Sequence, residues 1–467
     1  MRRHSVVGRG SYDEVAPLVP KAEYYAPAAI LARIVSCVSS LAEGYDVGCF
    51  GAIAADIKED LGLSSWGIGI LAGVPALFFA LAALCGGALA NAVGRKAALM
   101  ATCVLLIAGI WLQVVATGLS GLVLGRCIVN AGAGAGVAVV STYLTEVTPA
   151  ARRGCFVSLE ELFLQMGILL AYFAQWCLVD YMHGWRIVIG LGMVGPVLAL
   201  LLSLLPQVPE SPRYFYLHGE HGKAEQMLRR LVADPEEVEQ TLAAWDNELP
   251  ITLVEAVQQT PRGAFVASLG VALCTTASGV HAINQLLSFV LVGALKGSVP
   301  AEELKHTVAS CTLAIMGLKF AVLLPVCLYL VDRVGRRPLL VASALCMAVG
   351  SSTTTMALAG SRAATLVVVG IGVHLASFSL GMGPVMWAYC SEVLPTEVRG
   401  PGMGLAILAS RCLVFVQLSV LPVALAVSFC LPFACYAVVN LAAATFVMCC
   451  CPETSGKKLE ELPGIFN

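Results

Sequence analysis

The stretch YLTEVTPAARRG, residues 143–154, ends one long apolar run and starts the next. Glu146 closes the first run, Pro149 follows three residues later, and Arg153-Gly154 leads into the second. The same spacing returns downstream as Glu392, Pro395, Arg399 and Gly400. Two more pairs agree with it. Gly94-Arg95-Lys96 is echoed by Gly335-Arg336-Arg337, and Pro209-Glu210-Ser211 by Pro452-Glu453-Thr454. The offsets Arg95/Arg336, Glu146/Glu392 and Pro209/Pro452 are 241, 246 and 243 residues. Three concordant offsets imply two copies of one unit, and a charged hinge between apolar runs makes that unit a membrane one.

Composition points the same way. The chain has 467 residues, 58% hydrophobic and 12% charged, with a mean hydropathy of +0.84. A soluble domain carries about 25% charged residues, so there is too little polar surface here to cover a water-soluble globule. The net charge of -2 gives no electrostatic reason to expect a nucleic-acid partner. A helical span needs about 20 apolar residues. With that ruler the chain shows runs near 28–54, 66–90, 97–117, 119–144, 155–178 and 185–205, then 263–293, 306–330, 338–359, 364–391, 401–423 and 428–450. The expected fold is an all-α membrane protein of twelve transmembrane helices in two pseudo-symmetric six-helix bundles.

The expected divisions are a tail at 1–27, bundles at 28–205 and 263–450, a helical linker at 206–262 and a tail at 451–467. GKAEQMLRRLVADPEEVEQTLAAW in the linker has helical periodicity and mixed charge, which suits two or three short amphipathic helices. Lys and Arg concentrate in the loops that share a side with both termini and the linker. That bias makes this side cytoplasmic, in a plasma or an intracellular membrane. Residues 1–25 are polar and lack the apolar core of a signal peptide. Most of the eighteen cysteines lie in apolar runs, where Cys behaves as a small hydrophobe. Cys449-Cys450-Cys451 at the end of the last run suits palmitoylation or helix-end packing equally. No metal-ligand spacing appears, and no metal or cofactor is expected. No nucleophile–base pattern lies in the polar segments, so an enzyme is not expected.

Nine short pieces together carry a family likeness: GYDVG (44–48), VGRK (93–96), GRCIVNAGAGAGV (125–137), EVTPAARRG (146–154), PESPRYF (209–215), VDRVGRRP (331–338), GPVMW (383–387), EVLPTEVRG (392–400) and PETSGKKLEEL (452–462). In their order and spacing the chain resembles a major facilitator superfamily transporter of the sugar porter family. The likeness implies alternating access at a site between the two bundles. It also implies a cytoplasmic latch built from Arg95, Glu146, Arg153, Asp332, Arg336, Glu392 and Arg399. Acidic residues at helix ends facing arginines across short loops suit such a latch between the halves, formed when the transporter faces outward. Asn91 stands where the family has an aspartate, so the N-terminal part of the latch is expected to be weaker than usual for the family. The glycines of GAGAG (131–135) suit close helix packing.

Ionisable residues inside spans cost about 3 kcal/mol or more on insertion scales and are functional candidates by default. Here they are Glu43, Asp46, Arg126, Glu160, Glu161, His281, Lys319, His374 and Arg411. The likeness implies proton coupling at Asp46, tuned by Arg126. A carboxylate alternately paired with a cation and released would change its proton affinity as coupling requires. Glu161 occupies the place of the family's substrate-binding glutamine, and Gln165 shares its helix face. In the seventh run Thr275, Thr276 and His281 replace the family's amides, with Gln285 downstream. Ser410-Arg411 replaces an Asn-Trp pair, while the aromatic Trp387 is retained.

These residues, Glu161, Gln165, Thr275, Thr276, His281, Gln285, Trp387, Ser410 and Arg411, form the expected substrate site. The expected partners are a small solute, protons and the lipid bilayer, and the expected working unit is a monomer. The expected function is secondary active transport of a hexose or related polyol, by proton symport. A small charged or zwitterionic solute on the same fold, or a membrane sugar sensor without transport, stands as the alternative.

Overall fold

The computed structural model describes residues 27–148, 153–231, 235–246, 261–326, 330–360, 364–395 and 398–455. The remaining residues, which include the N-terminal tail and most of the C-terminal tail, lie outside the described ones. Regular structure among the described residues is helical, apart from a single bridge between Lys296 and Val299. The first half comprises α1 (Pro27–Asp60), α2 (Ser65–Val93), α3 (Arg95–Val115), α4 (Leu119–Glu146), α5 (Arg153–Leu178), α6 (Gly184–Leu191) and α7 (Val194–Leu204). Three short helices follow: α8 (Pro212–Leu217), α9 (His221–Leu231) and α10 (Pro235–Asp246). Leu228 and Leu231 of α9 are buried while Arg229 and Arg230 are exposed, the amphipathic arrangement its periodicity suggests.

The second half comprises α11 (Arg262–Ala277), α12 (Val280–Gln285), α13 (Leu287–Leu295), α14 (Ala301–Pro325), α15 (Val331–Val334), α16 (Arg336–Ala359), α17 (Ala364–Phe378), α18 (Pro384–Val393), α19 (Arg399–Val427) and α20 (Leu431–Cys450). Among the described residues, ten helical stretches are long and apolar enough to cross a membrane. The two remaining runs differ for visible reasons. Helix α1 carries Glu43 and Asp46 at its middle, and the 364–393 run breaks at Ser379–Gly383, where Pro384 starts a new helix. The 263–293 run is also broken rather than continuous. Gly279 takes φ +87° between α11 and α12, and the Tyr436 ring lies where its Cβ would be.

Helix pairing follows the small residues. A Cβ on Gly44 of α1 would collide with the Leu164 carbonyl of α5, and one on Gly134 of α4 with the Phe79 carbonyl of α2. Across the halves, α2 packs on α19 and α5 on α14. Large apolar side chains such as Trp66, Trp111, Met356 and Val427 face outward, as a lipid-exposed surface permits.

Candidate transport site and charged clusters

Each half carries one charged cluster on the face of the short basic loops. In the first half Arg95 opens α3 and Glu146 ends α4. They pair side-on through one guanidinium edge, Nε to Oε2 at 2.8 Å and Nη2 to Oε1 at 2.9 Å. Arg95 is 2% exposed, and the Ser211 hydroxyl donates to the same carboxylate. Glu210 accepts the backbone N–H of Arg95 at 2.8 Å, of Lys96 at 3.2 Å and of Ser211 at 2.8 Å, so it caps the first turn of α3. Tyr143 donates to the Pro209 carbonyl at 2.6 Å.

The second half repeats this with looser geometry. Arg336 reaches Glu392 at 3.3 Å and Thr454 donates to Glu392 at 2.6 Å. Glu453 caps α16 at the N–H groups of Arg336 and Arg337, 2.9 and 3.0 Å away. Tyr389 donates to the Pro452 carbonyl at 3.2 Å.

The sequence reading joined Arg95, Glu146, Arg336 and Glu392 into a latch between the halves. The described ion pairs of these four, Arg95–Glu146 and Arg336–Glu392, each lie within one half, while the latch is expected for the outward-facing state and includes Arg153, Asp332 and Arg399. Glu210 in the first cluster and Glu453 in the second each cap the helix that the cluster's arginine opens, a role that the repeated Pro-Glu motif alone does not reveal. The side chains of Arg153, Asp332 and Arg399 lie outside the described residues.

Bonds between described residues of the two halves lie near the opposite face. Ala55 N–H donates to Ser288 Oγ at 3.3 Å, and the Tyr172 hydroxyl to the Asn284 carbonyl at 2.9 Å. Trp176 Nε1 donates to Ser310 Oγ at 3.2 Å. Lys305 pairs with Glu59 at 3.1 Å and His306 with Asp180 at 2.7 Å.

Between α1 and α4, Asp46 and Arg126 line one small cavity with Tyr45, Cys49, Phe50 and Gln113. They face each other but make no N···O contact within 4.0 Å. Arg126 is 5% exposed, donates to the Leu71 carbonyl at 3.1 Å and stacks 3.8 Å from the Phe50 ring centroid. Phe50 is not among the expected site residues, and its position one turn beyond Asp46 is the sequence signal for it.

The expected substrate residues divide into two groups. Glu161 accepts from Gln165 at 2.9 Å and faces Lys319 of α14. His281 packs edge-on against the Phe378 ring at 6.1 Å, and the Arg411 guanidinium lies 4.0 Å from the Phe79 ring centroid of α2. Gln285 and Trp387 are half-buried. Thr275, Thr276 and Ser410, by contrast, bond to neighbouring helix atoms. Thr275 donates to Met382 Sδ at 3.2 Å, Thr276 to the Ala272 carbonyl at 2.9 Å and Ser410 to that same carbonyl at 3.5 Å. All three are buried, because α11 turns that face into the contacts with α18 and α19. Glu160 accepts from Ser141 at 3.2 Å and His374 bonds Ser351 at 2.9 Å.

The family model described as "Sugar (and other) transporter" matches residues 32–466. Polyol transporter 5 of Arabidopsis thaliana is 28% identical, with 96% of this chain and 87% of that protein covered. Myo-inositol transporter 1 of Candida albicans is 25% identical, covering 92% and 82%. Among solved structures, the inward open conformation of the xylose transporter XylE from E. coli covers 94% of this chain and 100% of that one, with TM-score 0.77 and 22% identity. The proton:xylose symporter XylE bound to 6-bromo-6-deoxy-D-glucose, a major facilitator superfamily protein, covers 95% and 100%, with TM-score 0.75 and 20% identity. The chain therefore has the major facilitator fold and belongs to the sugar transporter family, as a membrane transporter and not an enzyme.

Proposed function

We propose that this protein moves a sugar or related polyol across a membrane by alternating access, in symport with protons. The observation that carries the coupling is the Asp46–Arg126 cavity. A carboxylate and a guanidinium share one confined space without bonding, and the guanidinium is held elsewhere by Leu71 and Phe50. A small shift of α1 against α4 moves Asp46 toward or away from that charge, which changes its affinity for a proton. The names of the polyol and myo-inositol relatives and of the xylose symporter support the solute class. On this reading Glu161, Gln165, His281, Gln285, Trp387 and Arg411 line the path of the solute.

The bundles at 28–205 and 263–450 rock about that site, with both termini and the linker on the cytoplasmic side and a monomer as the working unit. Arg153 and Arg399 bridge the two clusters when the protein faces outward. The test is uptake of radiolabelled myo-inositol and xylose into proteoliposomes under an imposed pH gradient. Asp46→Asn is expected to exchange solute but not to concentrate it, and concentration by that variant would remove Asp46 from the coupling step. Saturable binding with no flux in the unmutated protein would mark a sensor instead.

A further inference from the structure

The wall that the second half presents to the first is basic. Lys319 of α14 is 4% exposed and makes no hydrogen bond or ion pair with a described residue. Its Nζ lies 5.6 Å from the Phe378 ring centroid, and the His281 ring packs on that same ring. Arg411 of α19 sits against Phe79 of the facing half and likewise has no hydrogen-bonding or ion-pairing partner among the described residues. The helix that carries His281, α12, packs against both α17, which carries Phe378, and α19, which carries Arg411.

The wall of the first half is acidic, with Glu43, Glu160 and Glu161. Glu161 faces Lys319 and Glu43 faces Arg411, but neither couple closes to 4.0 Å, and Glu161 already bonds Gln165. A membrane protein rarely holds cations at mid-depth without giving them an anion. A neutral polyol needs hydroxyl partners and has no use for two unbonded cations.

We propose that Lys319 and Arg411 bind an anionic group, a carboxylate or a phosphate, on the solute this protein carries. This rests on the transport reading and narrows it from polyols in general to polyhydroxylated anions. The acidic wall then meets the hydroxyls, which donate to Glu161 and Glu43. Arg411 offers a planar fork to the anion, and Lys319 a point charge from the neighbouring helix. Lys319 thereby becomes a specificity residue together with Arg411.

The experiment uses the purified full chain with three probes: myo-inositol, D-glucuronate and glucose 6-phosphate. Calorimetric binding and proteoliposome uptake are measured for the unmutated protein, Lys319→Gln, Lys319→Arg and Arg411→Gln. Binding of glucuronate or of glucose 6-phosphate is expected, and which of them binds identifies carboxylate or phosphate. Lys319→Gln should lower the ratio of anion to inositol affinity by roughly tenfold or more, the effect of losing a charge-assisted bond. Lys319→Arg should restore most of it, which a packing role would not allow. Binding of neither anion overturns the inference whatever else is carried. Inositol uptake without anion binding overturns this inference and leaves the transport reading standing, while uptake of none of the three overturns that reading as well.

Discussion

The charged clusters of the two halves use the same residue types at the same places but differ in tightness. Arg95 is almost fully enclosed and grips Glu146 by two bonds of 2.8 and 2.9 Å. Arg336 has a side chain 16% exposed and reaches Glu392 at 3.3 Å. A duplicated motif therefore does not mean a duplicated strength. The expectation drawn from Asn91, an N-terminal latch weaker than is usual in the family, concerns contacts between the halves, whereas the Arg95–Glu146 pair lies inside one half. Closeness there is set by Ser211, Glu210 and the Ala90 carbonyl around Arg95, not by position 91, which is exposed. The second copy is wetter, and water competes for Arg336.

The largest expected effect separates the two copies directly. Arg95→Ala leaves the largely enclosed Glu146, 14% exposed, without its counter-charge and should cost about 3 kcal/mol. Arg336→Ala at the looser copy should cost about 1–3 kcal/mol. Thermal unfolding of the detergent-solubilised variants orders them, and an equal or inverted pair of melting temperatures would break the comparison.

Glycine substitution gives the next effect. Gly94 and Gly335 take φ +95° and +96°, a region side chains rarely enter. A Cβ on Gly94 would lie 2.5 Å from a Glu210 carboxylate oxygen, and one on Gly335 2.8 Å from that of Glu453. Gly94→Ala and Gly335→Ala should each cost about 1–3 kcal/mol, Gly94 the more. Melting temperatures in the reverse order would show that backbone strain, not the carboxylate contact, sets the difference.

These clusters were legible in the sequence because charges stand out in an apolar chain, and because Pro-Glu-Ser and Pro-Glu-Thr recur at matching offsets. Their wiring was not legible. The Glu–Arg spacing is equally compatible with a pair inside one half and a pair between halves, and only the fold decides which arginine lies over which carboxylate. The same limit applied to Thr275, Thr276 and Ser410. A hydroxyl in a span bonds either a solute or the preceding turn, and the break at Gly279 fixes which face of α11 is turned inward. Lys319 was visible as a charge in a run, but its isolation from any bonding partner was not.

A subtler contrast lies in the two capping carboxylates. Burial pushes the Glu210 carboxyl above its ordinary value, although the N–H groups of Ser211, Lys96 and Arg95 pull it down. Burial also raises Glu453, but the N–H groups of Ser455, Arg336, Arg337 and Thr454 together outweigh it and leave that carboxyl below its ordinary value. The signs are opposite. From about pH 4 upward, near the ordinary glutamate value, the raised Glu210 takes stability away until it ionises in the folded state. The lowered Glu453 contributes stability above that pH and loses it as pH falls through its folded-state value. Relative to the unmutated protein, Glu210→Gln should therefore fare better as pH rises and Glu453→Gln worse. Parallel trends in melting temperature for the two variants would remove this distinction.

The smallest effect belongs to the opposite face, where the halves meet through exposed charges. Lys305 and Glu59 are 54% and 66% exposed, so their 3.1 Å pair works against solvent and salt. Lys305→Gln should change stability by about 1 kcal/mol or less. What holds that face closed is better sought in the enclosed contacts, Tyr172 on the Asn284 carbonyl and Ser288 on Ala55. Tyr172→Phe should accordingly increase labelling of a cysteine placed at Ser288 more than Lys305→Gln does. The reverse order would mean that the exposed ion pairs, and not the buried hydrogen bonds, keep the two halves together there.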